Sequence, residues 1–151
     1  MAPKKLPNDA LLTEILQKVS SAKTKAEKVA LLQEYNNPGL RAILIINFDE
    51  SLKFLLPAGE VPYRPSDAPA GTDHTRLDHE YRGLYRFFKG GDSSIKGMKR
   101  EQLYVQLLEG LHADEAELLV LACNEDLQSK YRVTKQVVSE AFPAIEWGNR
   151  G

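Results

Sequence analysis

The sequence predicts an all-α protein, a compact bundle of about seven helices carrying one long proline-rich loop over residues 57–75. Three observations lead there. Apolar residues recur at helical spacing in almost every stretch outside that loop. Helix-starting signals stand where those stripes begin. Four of the eight prolines fall between Pro57 and Pro69, the only stretch where the pattern breaks.

Leu11, Leu12, Ile15, Leu16 and Val19 mark one face of a first helix, with Asn8 or Asp9 in place to cap it. A second helix is announced by the capping box Thr24-Lys25-Ala26-Glu27 and should run to about Tyr35. Asn37-Pro38 reads as N-cap and first-turn proline of a third helix through Leu40, Ile43, Leu44 and Phe48. The run from Ala42 to Ile46 also fits a buried strand, but nothing nearby offers a strand partner, so helix is preferred. Pro57, Pro62, Pro65 and Pro69, with Gly59 and Gly71, cannot continue a helix. Phe54, Leu55, Leu56, Val61 and Tyr63 should hold that loop against the body.

Leu77, Tyr81, Leu84, Tyr85 and Phe88 form the single-face stripe of a fourth helix, ended by the turn at residues 90–94. A fifth helix is expected from about Lys99 to Glu109. A sixth, from about Asp114 to Cys123, is apolar almost all round and should be central. Residues 134–142 make a short seventh, stopped by Pro143. No internal repeat or composition shift marks a second domain. The expected organisation is one domain over 1–151, with flexible ends at 1–8 and 148–151.

The chain has 151 residues, 42% hydrophobic and 27% charged, the composition of an ordinary globular domain. A lone cysteine, Cys123, rules out a disulfide framework and reads as a small core residue. No apolar run is long enough to span a membrane, and the N-terminal lysines precede no apolar stretch of the kind a signal peptide needs. No membrane partner is expected. The expected location is the cytoplasm.

No phosphate-binding glycine loop, H-E-x-x-H pattern, nucleophile elbow or C-x-x-C pair occurs, so neither an enzyme nor a cofactor is expected. His74 and Asp78 stand at i, i+4 and would share a cation on a helix. Acids and caps at a helix start account for the same residues, so no metal site is assigned. His112 lies in a helix–helix connection with no partner visible in the sequence.

The distribution of charge is more informative than the net value of −1. Between residues 82 and 100 stand six basic residues, Arg82, Arg86, Lys89, Lys96, Lys99 and Arg100, against one acid, Asp92. The first three are spaced to share one side of a helix. A second group, Lys18, Lys23, Lys25 and Lys28, surrounds the first helix junction. A third, Lys130, Arg132 and Lys135, opens the last helix. Any one group reads as a solvated face; three at helix junctions suit phosphate neutralisation. Acids collect elsewhere, at Glu109, Asp114, Glu115, Glu117, Glu125 and Asp126.

Two segments carry a resemblance. Glu14-Ile15-Leu16 with Ser21-Ala22-Lys23-Thr24-Lys25-Ala26-Glu27-Lys28 and Leu31-Leu32, and then Leu118-Leu119, Asp126-Leu127, Thr134-Lys135-Gln136-Val137-Val138 and Ala141-Phe142-Pro143, resemble the opening and closing helices of the N-terminal DNA-binding domain of ATP-dependent DNA ligases. That domain grips duplex DNA through backbone and minor-groove contacts. The resemblance implies such contacts at Lys23, Lys25, Lys96, Lys99, Lys130, Arg132 and Lys135. The chain departs from the pattern at Glu125, where the ligases have an arginine, and at Lys130-Tyr131, where they have a glycine. It also lacks the K-x-D-G adenylation motif, so the resemblance implies no ligation.

The whole chain is similar besides to a family of small proteins from tailed phages, through residues 54–63 and Glu140-Ala141-Phe142-Pro143. This implies a phage origin, in the host cytoplasm or associated with the virion. The expected function is therefore a non-catalytic, duplex DNA-binding accessory protein. Its rival is a module that binds a phage or host protein through the proline-rich loop, with Phe54, Tyr63 and Arg64 as anchors.

Overall fold

Residues 11–49, 51–55, 75–88, 94–145 and 147 are described by a computed structural model. Among them stand seven α-helices: α1 (Leu12–Ser21), α2 (Lys25–Glu34), α3 (Pro38–Phe48), α4 (Leu77–Glu80), α5 (Gly97–Gly110), α6 (Ala113–Cys123) and α7 (Lys135–Ala141). Two 3-10 segments, Tyr81–Phe87 and Leu127–Ser129, complete the order, and the described residues contain no sheet. The fold is all-α, as the periodicity predicts. Most of the proline-rich loop, with Leu56, Val61, Tyr63, Arg64 and His74, lies outside the described residues. So do the expected flexible ends and Lys89.

The starts follow local chemistry. Thr24 Oγ1 accepts the Glu27 N–H at 3.1 Å, while the Glu27 carboxylate accepts from Lys23 N, one residue earlier than a strict capping box. Asn37 Oδ1 accepts the Leu40 N–H at 2.8 Å with Pro38 in the first turn, and Ala42–Ile46 is helical. The cap of α1 is Leu11 instead of Asn8 or Asp9: the Glu14 carboxylate reaches back to the Leu11 N–H at 3.0 Å.

The fourth helix departs most from expectation. After one α-turn the chain tightens into the 3-10 segment 81–87. At three residues per turn, positions 81, 84 and 87 align. Phe87 is therefore buried and Tyr85, expected in the stripe, is 53% exposed.

One apolar cluster joins all these elements. α6 lies at its centre, packed on α1, α3 and α5; α2 packs on α1 and α7, and α3 also on α4. Leu118, Leu119 and Ala122 of α6 and Leu40, Ile43 and Leu44 of α3, two helices packed on each other, are all fully buried in this cluster. Each buried leucine contributes about 1.5–3 kcal/mol.

Polar clips set the register. The fully buried Glu115 accepts from Leu77 N at 3.1 Å and from Leu12 N at 3.4 Å, so one carboxylate holds the starts of α4 and α1 against the start of α6. Buried Asn47 of α3 accepts from Leu127 N and donates to Gln128, fixing the second 3-10 turn. Close approach fixes Gly39: a Cβ there would lie 2.8 Å from the Asp78 Cα, so only glycine lets α3 meet α4.

Candidate nucleic-acid interface

Between the 3-10 turn at Leu127 and α7, residues 130–134 alternate outward and inward. Lys130, Arg132 and Thr134 are exposed, while Tyr131 and Val133 are buried. The pattern Lys-Tyr-Arg-Val-Thr thus leaves both cations at the surface, anchored by an aromatic ring in the core. Burial raises the Tyr131 hydroxyl above its ordinary pKa, and the Lys130 ammonium 5.8 Å from its ring partly opposes that.

This segment docks on the first helix junction. The Arg132 N–H donates to Ser20 Oγ at 2.9 Å, and the Arg132 carbonyl accepts from Lys28 Nζ at 2.6 Å across 104 residues of sequence. The second and third basic groups therefore meet at Lys28 and Arg132. Lys23 and Lys25 stand at the start of α2, and the exposed Arg132 is tied to Lys28 through its backbone carbonyl. Lys135 opens α7 with its ammonium 5.1 Å from the Trp147 ring. Acids border this junction: Lys25 pairs with Glu140 at 2.7 Å, and Lys130 with Glu117. The hydrogen bond that Lys130 donates to the Glu117 carboxylate holds the Lys130 pKa above its ordinary value.

The group between 82 and 100 is arranged otherwise. On a 3-10 segment the i, i+4 spacing of Arg82 and Arg86 no longer aligns them. Arg86 folds back, its Nε donating to Gly83 O at 2.8 Å, and its guanidinium lies over the Phe87 ring. Arg82 is exposed beside the Tyr81 hydroxyl. Arg100 is 9% exposed, and its guanidinium donates to the carbonyls of Arg86 and Ile95, both at 2.9 Å. It splices α5 to the 3-10 segment and leaves the basic surface. Lys96 and Lys99 are exposed at the start of α5. The main neighbours of α5 are α6 and the 3-10 segment, whereas those of α2 are α1 and α7. Lys96 and Lys99 therefore belong to different elements from the Arg132 face.

Phe54, expected as a partner anchor, is tied into the body. Its backbone bridges to Phe88, and its ring lies 5.4 Å from both Phe88 and Tyr104. Asp78 is held by Arg76 at 2.8 Å, and that hydrogen bond lowers its pKa. His112 Nδ1 accepts the Asp114 N–H and caps α6, a role its position in the sequence did not reveal. Burial pushes the Cys123 thiol up to about 12, in keeping with a packing role. No helix of the described residues is long and apolar enough to cross a membrane.

Residues 15–129 match DUF6433, a family of unknown function, and the chain belongs to that family. No curated protein and no solved structure matches it.

Proposed function

We propose that this DUF6433 chain is a non-catalytic, phage-encoded accessory protein that binds duplex DNA by its phosphates. The contact between Lys28 Nζ and the Arg132 carbonyl carries the reading, because it joins two basic segments from opposite ends of the chain. Lys23, Arg132 and Lys135 offer charges with no acidic partner among the described residues, and Lys25 and Lys130 add two more. An exposed Lys–Glu pair is worth only about 0–1 kcal/mol, so a phosphate displaces Glu140 or Glu117 at little cost. Such a face tracks the backbone and positions the duplex without reading bases. In the host cytoplasm its net charge of −1 keeps binding weak and strongly dependent on salt.

The direct test is anisotropy of a labelled duplex of about 30 base pairs, titrated at salt from about 50 to 200 mM. Micromolar binding that falls steeply with salt is expected. Absence of binding at the lowest salt would overturn the reading.

A second reading, a module for a phage or host protein, rests on a different observation. The exposed large apolar side chains of the described residues are Leu55, Tyr85 and Met98. They stand on segments tied to one another, through Leu55 N donating to Phe87 O and Arg100 bonding Arg86 O. Failure to bind duplex would make this surface the bait for a protein partner.

A further inference from the structure

Beyond the Lys25–Glu140 pair, α3 and the chain that follows α7 line an open groove of about 660 Å³. Ala42 and Ile45 of α3 form one wall, and Phe142 and Ile145 the other, with Asn36 at one end. Arg41 lines it as the one cationic side chain there. It is partly covered, and among the described residues its guanidinium bonds no group. A partly covered guanidinium that uses none of its five N–H donors on a protein acceptor is open to an anion in place of water.

The groove is framed before any ligand arrives. Gln33 Nε2 donates to the Ala141 carbonyl at 3.1 Å, fixing the end of α7 to α2. The turn beyond is closed by Ile145 N on Phe142 O at 3.1 Å, and Trp147 Nε1 bonds Ser139 Oγ at 3.0 Å. On the other wall, Asn37 caps α3 and its carbonyl accepts the Arg41 N–H. Its volume lies within the range of small-molecule sites, about 300–1,000 Å³.

We infer that the Arg41 groove binds a small carboxylic acid with an apolar body, its carboxylate on the guanidinium and its tail between Ile45 and Phe142. The planar fork of arginine matches a carboxylate in bidentate geometry. A single cation with no second one beside it suits a monoanion better than a phosphate dianion. The apolar walls then take up the tail. This site is independent of the duplex-binding face.

Calorimetric titration with octanoate, with fluorescence of the sole tryptophan, Trp147, as a second readout, tests the site. Octanamide serves as the uncharged probe of equal length. Saturable one-to-one binding of octanoate is expected. Arg41→Gln, which keeps most of the stem, should weaken it about tenfold, or about 1.4 kcal/mol, and octanamide should bind the wild type about tenfold more weakly than octanoate. Arg132→Glu should leave octanoate binding unchanged. The inference is overturned by any of three results: no saturation by octanoate up to about 10 mM, equal affinity for octanamide, or a loss in Arg132→Glu that Arg41→Gln does not show. Because the octanamide comparison uses the wild type, poor folding of a variant does not decide the outcome.

Discussion

Glu125 occupies the left-handed region with φ 58° directly beyond α6. Asp126 N bonds Leu121 O at 2.8 Å and Glu125 N bonds Ala122 O at 3.0 Å, the paired bonds of a Schellman ending in which glycine is the usual residue. A side chain there costs about 1–2 kcal/mol. Glu125→Gly should stabilise the protein by about 1 kcal/mol in urea unfolding, and Glu125→Ala should give no such gain. Glu115 stores a different tension. Burial, its largest influence, raises its pKa above the ordinary 4.5, and the N–H groups of Leu77 and Leu12 only partly offset this. The folded state therefore holds the Glu115 proton more tightly than the unfolded chain does. This contribution to stability is fully present below pH 4.5 and is lost as pH rises through the folded pKa. The stability of the wild type relative to Glu115→Gln should accordingly fall as pH is raised from 4.5, measured by thermal melts of both; a difference independent of pH would contradict it. In the sequence Glu115 is one acid among several, and nothing in its neighbours announces that a tertiary contact will bury it.

At the scale of elements, Gly39 sets two effects against each other. In a helix interior alanine gains about 1 kcal/mol over glycine and less in the first turn, where Gly39 stands, but here its Cβ would press on the Asp78 backbone at 2.8 Å. Overpacking of that kind costs about 1–3 kcal/mol, so Gly39→Ala should lower the melting temperature; a rise would show that α3 and α4 part freely. The helix starts at Thr24 and Asn37-Pro38 were legible because the caps are local, closed within three residues. Residues 81–87 were not. An apolar stripe at 81, 84, 85 and 88 fits the α period, and only packing against α3 and α5 selects the tighter 3-10 turn that buries Phe87. Arg100 was misplaced for a related reason. Its charge is visible in sequence, whereas the carbonyls of Arg86 and Ile95 that consume it appear only once the segments meet.

For the whole molecule, the sequence supplied the basic groups but not their arrangement. Lys130 and Arg132, expected to open the last helix, lie ahead of it in a segment whose alternating burial depends on the core they meet. The docking of Arg132 on Ser20 and Lys28 spans more than 100 residues and has no local signature. Arg41, a lone cation on the apolar α3, carried a signal of its own that charge clustering passes over. The proposed function depends on the Arg132 face and not on basic charge in general, so the decisive comparison is between surfaces. Duplex affinity should be measured against salt for wild type, for Lys23→Glu with Arg132→Glu, and for Lys96→Glu with Lys99→Glu. The account predicts that the first pair abolishes binding, while the second weakens it modestly and lowers the salt slope by about 1 or less. Loss of binding in the Lys96/Lys99 pair alone, with the Lys23/Arg132 pair still bound, would contradict it.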